Sequence, residues 1–502
     1  MKIFTRNLTS KRSSGALAVS AAALLLTLPG CVVGPKYHPP APQAPAPAYK
    51  ESPANSQDNG DWTVAQPADA KLRGKWWEIF NDPELNALEE QLDINNQNIK
   101  EYFENYMEAR AIVREARSQY FPTLTAAPAI THSRASANVG VPTSTTGGTT
   151  TTSTSQLQST LYTLPLEASW EPDLWGKVRN TVRQAQYAAQ VSAAELENER
   201  LTEQASLAQY FFEIRGQDKL QQIFDETVAA DQKAYDLTRS LYETGIDDEI
   251  SVVEAETTLR NAQAGATNVG VARAQYEHAI AVLIGKAATN FSIPAKPMTV
   301  APPPIPVGVP SELLERRPDV AAAERGLAAA TARIGVATAD LYPTLSFTAA
   351  PSLQALQVGD LAKKGAFAYT VGPALSLPIF DLSVYARLRG ANANEQAALA
   401  SFEKAVLTAL AETETSLDAY DQDRARRQSL SIAAEASRRA TELASTRYQY
   451  GAENFLAVLD AEARQLAAED QLAQSEIAVT MDLVTIYRAL GGGWTIAPPP
   501  DK

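Results

Sequence analysis

The sequence is poor in the residues from which disulfides and metal sites are built. It contains one cysteine and three histidines in 502 residues. One cysteine excludes an intrachain disulfide, and three histidines far apart in the chain form no metal-binding pattern. The short motifs of nucleotide-binding, zinc-protease, serine-hydrolase and EF-hand sites are also missing. The sequence therefore predicts no cofactor and no metal, and it disfavours an enzyme.

Positive charge is scarce as well. Asp and Glu together number 58 and Lys and Arg 44, which gives a net charge of −14 at pH 7. A chain this acidic, without a basic stripe, is a poor partner for nucleic acid. Hydrophobic residues make up 45% of the chain, which is enough to bury a large surface and argues against general disorder.

The first thirty residues have the organisation of a bacterial export signal. Four basic residues and no acid precede an apolar run from Gly15 to Leu28. This run is too short to span ~30 Å of hydrocarbon and is typical of a signal-peptide core. The following Pro29-Gly30-Cys31 resembles a lipobox, so we predict a palmitate-bearing lipid anchor on Cys31. A plain secretory signal with an incidental cysteine is the alternative, and Val32 favours sorting to the outer membrane.

The body of the chain is an internal repeat. Tyr242 to Gly245 is matched by Tyr448 to Gly451, and Gly285 by Gly491, at one common offset along the chain. Self-similarity at a fixed offset indicates duplication of a structural unit. The predicted boundaries are a signal peptide at 1–30, a lipidated extended tether at 31–75, a first repeat at 76–290, a Pro-rich link at 291–312, a second repeat at 313–493 and a C-terminal tail at 494–502.

Each copy is predicted to contain a helix, two strands, a very long helix, a glycine turn and a further helix. The long helices are expected at roughly 176–240 and 384–446, and each would be ~95–100 Å long at 1.5 Å per residue. The two shorter helices of a copy nearly add up to one long helix. They are therefore expected to stack end to end and run antiparallel to it, with a thin seam of small and aliphatic residues.

The strand segments alternate between apolar and small or polar residues. In one of them Phe367, Tyr369 and Val371 alternate with Ala368 and Thr370. Segments of ~10 residues with this pattern are typical of transmembrane β-barrels, although a soluble sandwich has the same alternation. Four strands in a bilayer would leave open edges, which lipid does not tolerate. Since closure needs at least ~8 strands, the chain is predicted to oligomerise, and the residues alone do not fix the number of copies.

Several motifs resemble those of one known family. They are Cys31 to Tyr37, Trp76-Trp77 with Phe80 to Leu85, Pro172 to Gly176, and Pro310 to Val320. In this order they resemble the TolC-like outer membrane factors, in the NodT-type lipoprotein branch that serves resistance–nodulation–division efflux pumps. The resemblance implies a homotrimer with a mixed α/β fold, in which three four-stranded shares close a 12-stranded barrel above an antiparallel coiled-coil tunnel.

The same resemblance implies a function and partners. The chain would be the passive outer membrane exit duct for small molecules delivered by an inner-membrane pump and a periplasmic adaptor (membrane fusion) protein. The alternatives that stay open are a duct for type I protein secretion, a periplasmic coiled-coil scaffold without a pore, and an uncharacterised enzyme. The missing catalytic motifs speak against the last, and the strand alternation speaks against the scaffold.

Two groups of site residues follow from the resemblance. The turns Thr244-Gly245-Ile246 and Tyr450-Gly451-Ala452 are expected to be periplasmic tips that dock the adaptor. Leu456 and Asp460, four residues apart on one helix face, match positions that narrow the periplasmic end of the tunnel. Tyr448 matches a tyrosine that holds neighbouring helices closed.

Overall fold

The computed structural model of the chain describes residues 32–40, 63–64, 75–134, 158–298, 306–307 and 317–492. The predicted signal peptide at 1–30, the predicted lipid attachment site Cys31 and the predicted tail at 494–502 lie outside the described residues. Parts of the predicted tether and of the Pro-rich link lie outside them too.

Helices dominate the described residues. The α-helices are α1 Pro83–Asn95, α2 Gln97–Ser118, α3 Lys177–Glu243, α4 Glu249–Leu283, α5 Pro318–Ala339, α6 Leu382–Gln449 and α7 Phe455–Ala489. The two long helices, α3 and α6, have 67 and 68 residues, so each is about 100 Å long. They match the long helices predicted from the sequence. In the part of the chain that is described, no helix has the length and apolar character needed to cross a bilayer.

The strands form one large sheet and one small pairing. They are β1 Thr63–Val64, β2 Thr123–Ala126, β3 Ala129–Arg134, β4 Gln158–Trp170, β5 Pro306–Val307, β6 Thr344–Ala355 and β7 Phe367–Ser376. In the large sheet β4 pairs with β6, and β6 with β7, all antiparallel. Both β2 and β3 pair with β4, at successive positions along it. The sheet is therefore four strands wide but contains five strands. The first predicted repeat supplies β4 and, at one edge position where a single strand was expected, both β2 and β3; the second repeat supplies β6 and β7.

Tertiary contacts divide the chain into two compact units, each with segments from both predicted repeats. The described part of the first unit comprises residues 32–38, 110–134, 158–187 and 328–396, and it holds the large sheet. The described part of the second comprises residues 39–40, 63–64, 75–109, 188–298, 306–307, 317–327 and 397–492. The repeat boundaries predicted from the sequence remain predictions, because the units describe contacts and not duplication.

The main hydrophobic core of the second unit is rich in aromatic residues. Trp76 and Trp77 are almost fully buried there, and Trp76 stacks on Tyr487 with ring centroids 6.0 Å apart. Phe80 packs on Phe212 at 4.7 Å. The motif that opens the first helix is thus a packing motif.

The first helical stretch, predicted as one helix over roughly 84–118, is interrupted at Asn96. Asp82 caps α1 by accepting a hydrogen bond from the Glu84 N–H (2.9 Å), and α1 ends at Asn95. The Asn96 side chain then accepts from the Ile99 N–H at 3.0 Å and donates to Glu203 of α3 at 3.2 Å. Asn96 satisfies the free N–H groups of α2 as an N-cap does, so the break is built into the sequence.

The mid-chain signature has a structural role. Pro318 begins α5, where its missing N–H costs nothing. The buried guanidinium of Arg317 pairs with Asp319 and with Glu412 of α6, each at 2.7 Å. It also donates to the carbonyl of Ala489, the last residue of α7, at 3.3 Å. Arg317 therefore ties the start of α5 to α6 and to the end of α7.

Candidate functional site

The turn between α3 and α4 is closed by backbone hydrogen bonds. The Gly245 N–H donates to the Tyr242 carbonyl and the Ile246 N–H to the Leu241 carbonyl, both at 2.9 Å. The Thr244 hydroxyl donates to the Leu241 carbonyl at 2.9 Å. Gly245 has φ +74°, in the left-handed region that glycine adopts without strain. This is a Schellman motif, the arrangement that the glycine predicts.

The turn between α6 and α7 repeats the arrangement. The Gly451 N–H donates to the Tyr448 carbonyl at 2.8 Å, the Ala452 N–H donates to the Arg447 carbonyl at 2.9 Å, and Gly451 has φ +70°. The Tyr450 side chain is 85% exposed. The two predicted tips are thus equivalent turns with the same backbone geometry.

Each turn is followed by a side-chain cap on the next helix. Asp248 accepts a hydrogen bond from the Ser251 N–H at 3.0 Å, and Asn454 accepts from the Ala457 N–H at 3.1 Å. The hydrogen bonds from Ser251 hold the pKa of the Asp248 carboxyl below its ordinary value. One cap is therefore charged and the other neutral, although both satisfy the same N–H position.

A small apolar cluster lies beside the second turn. Phe455, Val458 and Leu459 of α7 and Ala255 of α4 are buried together. The Tyr448 ring packs on the Phe455 ring with centroids 5.3 Å apart. The cluster therefore fixes the first turns of α7 against α4 and α6.

Tyr448 also lies within the electrostatic reach of the first turn. Burial raises the pKa of the Tyr448 phenol, and the negative charge of Asp247 raises it further. Asp247 accepts a hydrogen bond from the Ser251 hydroxyl at 3.0 Å. Asp247 is not among the residues predicted from the sequence, although it is the first acid after the glycine turn.

The two residues predicted to form the constriction lie on the exposed side of α7. Leu456 is 54% exposed. Asp460 is exposed too, and its carboxylate forms an ion pair with Arg464 at 2.7 Å. Arg464 is not among the residues predicted from the sequence, although an acid and a base four residues apart on a helix are a recognisable pair.

Further along the same helices lie two acids, Asp231 buried and Glu462 half-buried, each with one oxygen that has no hydrogen-bond partner among the described residues. Asp231 of α3 is 2% exposed, and one oxygen each of Asp231 and Glu462 is buried with no hydrogen bond from the described residues. Burial raises the pKa of Asp231 to about 6. Burial, with a further contribution from the Asp231 charge, raises the pKa of Glu462 to about 7. No feature of the local sequence distinguishes these acids from solvated ones.

The segment that follows Cys31 is bound to the first unit. The Val33 N–H donates to the Trp175 carbonyl at 3.0 Å, and the Asn180 side chain donates to the Val33 carbonyl at 3.1 Å. A Cβ at Gly34 would lie 2.5 Å from the α5 backbone. Val33, two residues after Cys31 in the sequence, is therefore already bound at the corner between β4 and α3.

The sequence matches a known family over most of its length. The family described as outer membrane efflux protein matches residues 88–286 and 309–492. The chain belongs to the outer membrane efflux protein family. Its predicted fold class, its outer membrane location and its role as the outer membrane channel of an efflux pump are thereby confirmed. The family consists of transport proteins.

Individual relatives of this efflux protein agree with that assignment. The antibiotic efflux pump outer membrane protein ArpC of Pseudomonas putida is 30% identical over 485 residues, which are 95% of each chain. Outer membrane protein OprJ of Pseudomonas aeruginosa is 30% identical over 494 residues, covering 95% of this chain and 96% of OprJ. The solved outer-membrane channel OprN is 32% identical, with a TM-score of 0.79 over 92% of this chain and all of OprN.

The predicted site residues of this efflux protein lie in two different environments. The structure brings Tyr448 together with Phe455, the residue before Leu456, and close to Asp247. It leaves Leu456 and Asp460 on an open face of α7, where they do not pack on the cluster beside the second turn. Because the roles of these residues depend on other copies and partners, the constriction and the docking tips stay predictions.

Proposed function

We propose that the chain assembles as a homotrimer that forms a passive outer membrane exit duct without catalytic activity. The observation that carries the proposal is the sheet of four strand positions, whose edge strands β2–β3 and β7 each pair on one side only among the described residues. Strand edges are not tolerated in lipid, and three such sheets supply twelve strands for a barrel. The mass of the purified assembly tests the proposal: three copies support it, and two copies contradict it.

The proposed cargo is small toxic molecules, delivered by a resistance–nodulation–division pump through a periplasmic adaptor. The name of the relative ArpC, an antibiotic efflux protein, supports this class of substrate. Deletion of the gene is expected to lower the minimum inhibitory concentration of antibiotics and dyes, and the intact gene should restore it. A deletion that changes only the set of secreted proteins would favour the secretion duct.

The two turns are proposed as the docking tips for the adaptor. Ile246 is 74% exposed, so an apolar side chain is presented to solvent at the end of the hairpin. Cysteines at Ile246 and Ala452 should crosslink to the adaptor in cells. A cysteine at Val271, exposed on α4, is the matched control and should not. Reaction of the tip cysteines with a membrane-impermeant reagent on intact cells would contradict the topology.

The face of α7 next to the second turn is proposed as a gate, with Tyr448 holding the neighbouring helices closed. Trimer symmetry would bring three copies of Leu456 and Asp460 to one axis, where a leucine ring resists wetting and an acidic ring favours cations. The ion pair with Arg464 reduces the charge that Asp460 presents. The proposed closed state therefore depends more on Leu456 than on Asp460.

Single-channel conductance in planar bilayers tests the gate. Leu456→Ala should raise the conductance, and Asp460→Asn should weaken cation preference with a smaller change in conductance. Ile250→Ala is the matched control, because Ile250 occupies the equivalent position after the first turn and is also exposed. Equal conductance in the wild type and the Leu456→Ala protein would remove this residue from the constriction.

Cys31 is proposed to carry the lipid anchor at the outer membrane. The short distance in sequence between Cys31 and the bound Val33 supports an anchor close to the strand–helix corner. Mass spectrometry of the mature N-terminal peptide should find an acylated cysteine as its first residue. An unmodified terminus at another residue would contradict the anchor, and Cys31→Ala should leave the trimer intact.

A further inference from the structure

Three arginines surround a groove between the end of α2 and the start of α3, in the first unit. Arg117 lies in the last turn of α2, and Arg179 and Arg183 lie in the first two turns of α3. Together with Tyr120 and Phe121 they line a cavity of about 380 Å³ that is open to solvent. The Tyr120 phenol lies within the electrostatic reach of all three arginines.

The groove is positive in a chain that is otherwise acidic. Arg179 forms an ion pair with Asp173 at 2.9 Å, and Asp173 also accepts the N–H groups at the start of α3. Among the described residues, no carboxylate lies within ion-pair distance of Arg117 or Arg183. Two cations are therefore left for an external anion.

The groove lies at the level where the strands pass into the helices. The Trp170 indole N–H at the end of β4 donates to the Tyr120 carbonyl at 3.0 Å. Trp175 stacks on Tyr342 with ring centroids 4.9 Å apart. Such belts of Trp and Tyr mark the headgroup level of a membrane protein. Phe121, beside the arginines, is 69% exposed.

The groove also lies next to the N-terminal segment. Asn180 donates from Nδ2 to the Val33 carbonyl, and its Oδ1 accepts from Arg183 at 3.3 Å. One side chain thus connects the groove to the segment that begins at the proposed lipid anchor, Cys31. Since the acyl chains of an anchor enter lipid, this face of the molecule is directed to the bilayer. This step rests on the proposed function.

We propose that the groove binds the phosphate headgroup of an anionic phospholipid of the phosphatidylglycerol class, in the periplasm-facing leaflet of the outer membrane. The planar guanidinium groups of Arg117 and Arg183 suit the phosphate oxygens, and basic pockets at the membrane surface commonly hold such headgroups. The exposed Phe121 ring gives the acyl chains an apolar surface. A zwitterionic lipid adds a cation next to the phosphate and fits a positive groove less well.

Native mass spectrometry of the full-length oligomer in detergent measures this binding. Phosphatidylglycerol is titrated against phosphatidylcholine with the same acyl chains, and inorganic phosphate is the third probe. The wild type should retain phosphatidylglycerol in preference to phosphatidylcholine. Arg117→Gln combined with Arg183→Gln should weaken phosphatidylglycerol binding about tenfold, because two charge-assisted contacts are lost. The matched control, Arg114→Gln with Arg389→Gln, removes the same charge outside the groove and should bind as the wild type does.

Two outcomes would overturn the proposal. In one, the groove variant binds phosphatidylglycerol as tightly as the control variant does. In the other, inorganic phosphate at the same concentration displaces the lipid, which makes the groove a site for an adventitious ion only. The proposed function is tested by other measurements: the acylation of Cys31, the mass of the assembly and its conductance. Its failure would therefore be distinguishable from the failure of this proposal. If a Cys31→Ala protein still preferred phosphatidylglycerol over phosphatidylcholine, the result would support lipid binding in the groove even if the anchor were disproved.

Discussion

The two hairpin turns have the same backbone and different surroundings. Gly245 and Gly451 have φ +74° and +70°, and each forms a Schellman motif with the residue after it. A side-chain cap of the next helix lies three residues after each glycine. After the first cap comes Glu249, which is exposed, and after the second comes Phe455, which is buried. The backbone of a turn is thus determined locally, while the packing around it depends on residues from other helices.

This difference bears on the proposed roles of the two turns. The first turn presents exposed apolar residues such as Ile246 and Ile250 to solvent, as a docking surface would. The second turn is fixed by the cluster around Phe455 and carries the candidate gate on the outer side of the same helix. A rigid support under Leu456 is what a constriction needs, because a ring of side chains must keep its position to exclude water.

Removal of Phe455 should have the largest effect on this comparison. Phe455→Ala leaves a cavity in the cluster and is expected to lower the free energy of local opening of α7 by about 3 kcal/mol. Hydrogen exchange of the amides in the first turns of α7 measures the loss. Glu249→Ala, at the equivalent position of α4, is the control and should change exchange little. Similar changes in hydrogen exchange for both variants would show that the cluster around Phe455 does not stabilise α7 more than Glu249 stabilises α4.

Asp231 of α3 and Glu462 of α7 should make the stability of the protein depend on pH. The pKa values of Asp231 and Glu462, about 6 and about 7, lie above their ordinary values of 3.8 and 4.5. The folded state therefore binds more protons than the unfolded state between pH ~4 and ~7, and stability falls as the pH rises through this range.

Neutral isosteres test this directly. Asp231→Asn with Glu462→Gln should raise the unfolding free energy at pH 8 by about 2 kcal/mol in total, after allowance for screening by water near Glu462. The gain should vanish near pH 4, where the native acids are already protonated. Glu256→Gln is the control, because Glu256 is the equivalent residue of the first hairpin and pairs with Arg260 at 3.4 Å. A gain that does not vary with pH would contradict the assignment.

The turn glycines should be equally sensitive to substitution. A Cβ at Gly245 or Gly451 meets no atom within 4 Å, so only the left-handed backbone opposes a side chain there. Alanine at either position is expected to cost about 1 kcal/mol of local stability, measured by hydrogen exchange in the adjoining helix ends. Gly270→Ala, inside α4 and also in open space, should have the opposite effect because alanine is the better helix former.

The smallest expected effect distinguishes the two caps. The pKa of Asp248 is lowered by hydrogen bonds from Ser251, so the stabilisation by this cap is present above its ordinary pKa and is lost as the pH falls below ~4. Asn454 does not titrate. Amide exchange of Ser251 and Ala457, corrected for intrinsic rates, should show fraying of α4 but not of α7 in acid. Parallel fraying of both helices would rule out the charge of Asp248 as the cause.

Much of the fold could be predicted because its signals are local. The left-handed glycines, the caps and the periods of helix and strand each act over a few residues. They placed the long helices within a few residues of α3 and α6, and they placed both turns correctly. The interruption at Asn96 was missed because an asparagine inside a helical pattern is ambiguous. Its capping role becomes clear only with Glu203 of α3 beside it.

The sequence by itself determined the order of the long helices and of the sheet segments, the two equivalent turns and the scarcity of catalytic groups, but not the division of the first sheet segment into β2 and β3. Only the tertiary structure decided which charges are buried and which are free. It buried Asp231, half-buried Glu462 and paired Asp460 with Arg464, and among the residues that the structure describes it left Arg117 and Arg183 without a carboxylate partner. The physical reason is that secondary structure is governed by neighbours in sequence, whereas burial and ion pairing depend on residues that the fold brings together from distant parts of the chain.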